Sequence, residues 1–127
     1  MQKIKYNIEY PLKNASLAVL WNSIGTPLGL SEWFADGVTV SENEYVFTWD
    51  QHEQTAILLQ KKQNSFIRFC WEEDEGSEYY FEISINLIEI TGDLTIVVTD
   101  FAEPSEVADA ELLWNQQIDV LKRKSGI

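Results

Sequence analysis

Few of the residues that do chemistry in proteins stand here in a pattern that would let them do it. Asp100 closes the alternation Leu94, Ile96, Val98, Asp100, which carries a carboxylate onto an otherwise apolar face at the inner end of a strand. A buried carboxylate needs a partner or a raised pKa. At that place it can recognise a ligand hydroxyl or amine, serve as a general base, or cap the turn that follows. His52 is the only histidine and falls in the polar turn Asp50 to Glu53, so a His-rich metal site is impossible. A carboxylate-only calcium site lacks the loop spacing it needs. Cys70 is the only cysteine, which excludes an intramolecular disulfide, and its place in an apolar strand makes it a packing residue. Arg68 interrupts the same strand and is expected to pair outward with Glu82 or Glu89. The run Glu72 to Glu75 reads as a solvated hairpin tip. No Gly-rich phosphate loop, Gly-x-Ser-x-Gly elbow or Cys-His arrangement occurs. The chain is therefore expected to be non-catalytic, with no metal and no cofactor.

Aromatic residues are the more telling group. They make up 13% of the chain, with five Trp, and large rings either fill a core or line a pocket for apolar ligands. Trp33 and Phe34 follow a short helix, where they either contact such a ligand or plug the core. Tyr45, Phe47 and Trp49 share one strand face. Ala110, Trp114 and Ile118 share one face of the last helix. With Phe69, Trp71, Phe81, Ile83, Ile96, Val98 and Asp100 on the strands between, these are the expected lining of any cavity.

The elements that must position them are legible. The last twenty residues, Ser105 to Lys124, repeat Val107, Ala110, Leu113, Trp114, Ile118 and Leu121 at helical spacing. Glu106, Asp109 and Glu111 stand near the start and Lys122, Arg123 and Lys124 at the end, in the order the helix dipole favours. Pro104-Ser105 is read as the start signal and Gly126 as the stop. Lys3 to Tyr10 alternates as a strand ended by Pro11. Asn14 is expected to cap a helix from Ala15 to Ile24, stopped by Gly25, and Thr26-Pro27 to open a short helix toward Phe34 that Gly29 weakens. Beyond Gly37 the period is two: strands are expected at Val38–Ser41, Tyr45–Trp49, Thr55–Gln60, Phe66–Glu72, Tyr79–Leu87 and Leu94–Asp100, joined by short turns. Seven strands so connected form an antiparallel meander. A twenty-residue helix spans roughly 30 Å, about the length of a nine-residue strand. One helix can therefore lie along a curved sheet, and the curve leaves a hollow unless large side chains fill it.

The size suits a single domain spanning 1–127. Net charge is −12, from 21 acidic against 9 basic residues, and the only basic clusters are Lys61-Lys62 and Lys122-Arg123-Lys124. Phosphate-binding surfaces need clustered Lys and Arg, so nucleic acid and anionic membranes are not expected partners. No stretch approaches the roughly 18 apolar residues of a membrane span. The opening Met-Gln-Lys-Ile-Lys-Tyr lacks the apolar run of a signal peptide, so a cytoplasmic location is expected.

Several motifs, in order along nearly the whole chain, resemble one family. Val19-Leu20-Trp21, Gly25-Thr26-Pro27 and Leu30-Ser31-Glu32-Trp33-Phe34-Ala35-Asp36 are similar to the opening of the START-like (SRPBCC) superfamily, nearest the branch named for the activator of heat-shock-protein ATPase. Phe69-Cys70-Trp71-Glu72, the final strand Gly92-Asp93-Leu94-Thr95-Ile96-Val97-Val98-Thr99, and Trp114 with Leu121-Lys122 resemble its later motifs. The resemblance implies an α+β helix-grip fold, with a seven-stranded curved antiparallel sheet wrapped around the C-terminal helix and two short helices after the first strand. It also implies a cavity for a small hydrophobic or amphipathic ligand such as a lipid, sterol or polyketide. The alternative it implies is a ligand-free interaction domain with a protein partner or as a homodimer. Gln63-Asn64-Ser65 replaces the proline pair that often precedes the fifth strand, and Asp100 stands where relatives often carry His. Both departures weigh against an enzyme.

Overall fold

The computed structural model describes residues 2–126; Met1 and Ile127, the outermost residues of the expected domain, lie outside the described residues. Seven strands form one antiparallel sheet in the order β1-β7-β6-β5-β4-β3-β2. They are β1 (Ile4–Leu12), β2 (Gly37–Ser41), β3 (Glu44–Trp49), β4 (His52–Lys62), β5 (Phe66–Trp71), β6 (Phe81–Ile88) and β7 (Asp93–Ala102). Helices α1 (Leu17–Gly25) and α2 (Pro27–Trp33) carry the chain from β1 at one edge to β2 at the other, and α3 (Val107–Ser125) follows β7. This is the helix-grip arrangement.

Alternation decides which face each strand buries. Ile83 and Ile85 on β6 meet Val98 and Ile96 on β7, and these meet Ile8 and Tyr10 on β1. On the opposite face Arg68 pairs with Glu82 at 2.7 Å, and its guanidinium lies 4.4 Å from the Tyr80 ring centre. That settles the choice of partner left open by the sequence. In β4 the register shifts between Leu58 and Gln60, leaving Leu59 as an extra residue that bends the sheet.

Several local expectations are corrected. Pro11 does not end β1: it pairs with Thr95 inside the strand, tolerated because β1 is an edge and its missing N–H costs no ladder bond. Asn14 lies in a turn with φ 58°, and Ser16 caps α1 by accepting from the Val19 N–H. His52 is the first residue of β4, opposite Trp49, so the turn is only Asp50-Gln51. Strand β6 begins at Phe81, two residues after Tyr79. Ser105 sits in a short 3-10 turn, Pro104–Glu106, and Glu106 occupies the cap position of α3. Gly126 ends α3 as expected, in the left-handed region at φ 74°, its N–H bonded to the Lys122 carbonyl.

Gly25 and Gly29 have a different task from the one expected. Gly25 is the last residue of α1 instead of its stop, lying under the Trp21 ring. At Gly29 a Cβ would sit 1.9 Å from the Asn22 carbonyl oxygen, so α2 crosses α1 at a distance only glycine permits. Thr26 joins the two helices by accepting from the Gly29 N–H and donating to the Asn22 carbonyl. Because the obstruction is backbone, Gly29→Ala is expected to cost about 3 kcal/mol of stability or more, measured by urea denaturation. A loss below about 0.5 kcal/mol would mean that the helices separate without penalty.

Candidate functional site

The short helix α2 owes its start to Thr26 at the cap and Pro27 at the first turn. It delivers Trp33 and Phe34 to the space between sheet and α3. Trp33 donates its indole N–H to the Ser23 carbonyl at 2.8 Å, which pins it against α1. The Phe34 carbonyl accepts two bonds, from the Trp49 indole at 2.7 Å and from the Gln117 amide at 2.9 Å. One oxygen thus ties together the end of α2, strand β3 and helix α3.

The Phe34 ring is only 3% exposed and touches Trp33, Phe47, Trp49, Phe81 and Trp114, with centroids 4.9 to 5.8 Å apart. It plugs the core. Behind it Tyr45, Phe47, Phe69, Phe81, Ile83, Ile96, Val98 and Ile118 are buried to 4% exposure or less and do not border the open cleft beside Phe34. These eight expected lining residues fill the interior.

The other seven meet at a cleft of about 840 Å³ beside the plug. Trp33, Phe34, Trp49, Trp71, Asp100, Ala110 and Trp114 line it. The sequence reading missed Ser31, Glu32, Ala35, Asp36, His52, Gln54, Leu113, Gln117, Val120 and Lys124 on its walls and rim. Leu113, expected on the buried face of α3, is 57% exposed at that rim. A signal for Gln117 existed: it lies three residues after Trp114 and seven after Ala110, on the same helical stripe.

Asp100 sits at the inner end of this cleft, opposite Tyr6 across the β1–β7 ladder. Its Oδ2 accepts from the Trp114 indole at 3.0 Å and from the Tyr6 hydroxyl at 3.3 Å, and its Oδ1 from the Phe101 N–H at 2.7 Å. Burial raises its pKa above the ordinary carboxylate value, and the three hydrogen bonds pull the other way. The Tyr6 phenol is raised well above its usual value, by burial first and then by the Asp100 charge. Beside it Tyr10 is pushed up to about 12 by burial and by Glu111 and Asp119, and it donates to Asn115 at 2.6 Å. Trp71 and Asp100 also line a second hollow of about 220 Å³ toward Lys3, Asp74 and Tyr79. Lys3 is paired there with Asp74 at 3.3 Å. Among the described residues no group of three His, Cys, Asp or Glu is placed to hold a metal, and no helix is long and apolar enough to cross a membrane.

A curved antiparallel sheet, a long C-terminal helix and an aromatic cleft between them define a helix-grip domain. The chain belongs to the START-like superfamily, whose domain model matches residues 1–127. A Bacteroides fragilis protein solved by solution NMR is 39% identical over 98% of this chain and 92% of its own, with a TM-score of 0.70. The Aha1 dimer from Colwellia psychrerythraea is 13% identical, covering 98% and 92% of the two chains at a TM-score of 0.65. An uncharacterised Bacillus thuringiensis protein reaches a TM-score of 0.75 at 11% identity, over 99% of this chain and all of its own. The last two are similar in fold alone. No curated protein sequence matches the chain significantly.

The raised pKa of Asp100 has a consequence for stability. For an acid held above its unfolded value, the native state is most favoured when the group is protonated. The contribution is full below the unfolded pKa of about 3.9 and is lost as pH rises through the raised value. Asp100→Asn removes that loss. The stability of the variant relative to the parent is therefore expected to rise with pH across this window and to level off above it, superimposed on a constant cost from placing an amide against the Phe101 N–H. Urea denaturation of both proteins from acid to neutral pH measures it; a flat difference would mean that Asp100 titrates as an exposed carboxylate does.

Proposed function

We propose that this domain binds a small hydrophobic or amphipathic molecule in the cleft between α2, the sheet and α3, without catalysing its conversion. The observation that carries the reading is the contrast within one interior. Eight apolar side chains are buried to 4% exposure or less, yet about 840 Å³ beside them is left open and walled by four Trp and Phe34. That volume lies in the range of small-molecule sites, which combine apolar walls with a few polar groups that fix orientation. Ala110 contributes to the hollow by being small where α3 faces it. Asp100, Gln54 and Gln117 are the polar groups on the walls that would orient a bound molecule.

Filling the cleft tests this. Ala110→Trp is expected to reduce binding of the neutral dye Nile red at least about tenfold while the fold persists, since Ala110 is only half-buried. Equal binding by variant and parent, or native mass spectra showing no retained small molecule and no dye uptake, would remove the cleft as a binding site.

Self-association is the second reading. It is favoured by Leu112 and Leu113, adjacent on α3 and each more than half exposed, at 56% and 57%. One neighbour of the same fold is described as a dimer. Sedimentation velocity with Leu112→Glu decides it: a dimer that dissociates in the variant supports the reading, and a monomeric parent excludes it.

A further inference from the structure

We infer that the occupant of the cleft carries a positive charge: a hydrophobic amine or quaternary ammonium whose head lies against Trp49, Trp71 and Asp100. This inference rests on the cleft being a ligand site and adds the charge class of the ligand. Three observations carry it. First, Trp49 and Trp71 are half-buried on the cleft wall, their ring centres 6.2 Å apart and their planes at 56°, with Phe81 packed on Trp71 at 4.9 Å. Two indoles meeting at that angle form a corner with π-faces on two sides, and indole is the side chain that attracts an organic cation best.

Second, the carboxylates Glu32, Asp36 and Asp100 line the same cleft, against His52 and Lys124 as the lining side chains able to carry positive charge. Lys124 stands at the last turn of α3, where it also lines a separate groove with Ser23 and Ser125. The whole chain adds a net charge of −12. A fatty acid or phosphate head would be brought into this negative field and against Asp100, where the low dielectric makes like-charge repulsion large. A hydroxyl head could donate one hydrogen bond to Asp100 but would gain no Coulombic attraction from the rings or the carboxylates.

Third, Asp100 accepts hydrogen bonds from Trp114, Tyr6 and Phe101, three of the roughly four acceptor sites of a carboxylate. It is held in place by its donors, with one acceptor position left; among the described residues no Lys or Arg forms an ion pair with it, and Lys3 across the smaller hollow acts on it only through space while paired with Asp74. A cation in the cleft would be the missing counter-charge. The arrangement is one in which the protein fixes the anion and the ligand supplies the partner.

The test compares three molecules with the same tail: octyltrimethylammonium, 1-octanol and octanoate, each displacing Nile red from the purified protein. The ammonium is expected to bind at least about tenfold more tightly than the other two, a ratio that cation–π and carboxylate contacts of ordinary strength provide. Trp71→Leu keeps the wall apolar while removing one π-face, and is expected to weaken the ammonium more than octanol, so that the ratio of their affinities falls toward one. Equal binding of ammonium and octanol, or tighter binding of octanoate, overturns the charge class but leaves the cleft a ligand site. A preference that survives Trp71→Leu undiminished would be attraction to the acidic surface in general, and overturns the inference too. Failure of all three to displace dye, with Ala110→Trp also indistinguishable from the parent, overturns the cleft reading itself.

Discussion

The carbonyl oxygen of Phe34 is the joint on which the interior depends. A helix seven residues long has little stability of its own, since helices below about a dozen residues are marginal in isolation. Helix α2 is held instead by what the residue capping its end does. The Phe34 oxygen receives one N–H from the sheet and one from α3, while its ring enters the aromatic cluster between them. Each hydrogen bond contributes about 1 kcal/mol net, but leaving a buried indole N–H unpaired costs more than that. Trp49 is thus fixed in orientation by a backbone oxygen 15 residues earlier in the chain, and the cleft inherits a wall that cannot swing freely.

The same joint explains why the interior divides into a solid half and an open half. Phe34 stacks on Phe81 and Trp114 and stands edge-on to Phe47, so the large rings of β3, β5 and β6 are satisfied by one another on its far side. On its near side α3 presents Ala110, Gln117 and Val120, which are too small or too polar to close the gap to Trp49 and Trp71. Protein interiors normally leave few voids larger than a water molecule. A cleft bordered by tightly packed rings therefore results from where the small residues stand, not from a shortage of large ones.

Much of this was legible in the sequence, and the part that was not has a physical cause. Period-two alternation in β6 and β7 and the helical stripe of α3 gave the buried faces except at Leu87 and Leu113, which lie on those stripes but are exposed, because burial on one side imposes the period whatever the partner is. The strand register of Pro11 was misread since edge position is a property of the assembled sheet. His52 was assigned to a turn because Asp50 and Glu53 flank it, although only Asp50 and Gln51 make the reversal. Gly29 looked like a weakness in α2, whereas its lack of a side chain is what lets two helices cross. Asp100 was identified as unusual from its phase alone, but its partners Tyr6 and Trp114 lie 94 and 14 residues away, and no local pattern connects them. Similarly, alternation showed which rings share a face without showing where that face is filled and where it is hollow.

Asp100 is the point at which burial and charge conflict. At this half-buried position desolvation raises the carboxylate's pKa more than its bonds to Trp114, Phe101 and Tyr6 lower it. The donors nonetheless converge on it: an indole, a phenol and a backbone amide all point at its oxygens, and among the described residues no buried side-chain polar atom is left without a partner. Such convergence fixes the carboxylate in place and opposes the rise that burial imposes on its pKa. Asp100 lies inside β7, which runs on to Ala102, so the Phe101 N–H it accepts from belongs to the strand and not to a turn. Tyr6 from β1 and Trp114 from α3 add two donors, and the carboxylate thereby joins three elements at the inner end of the cleft.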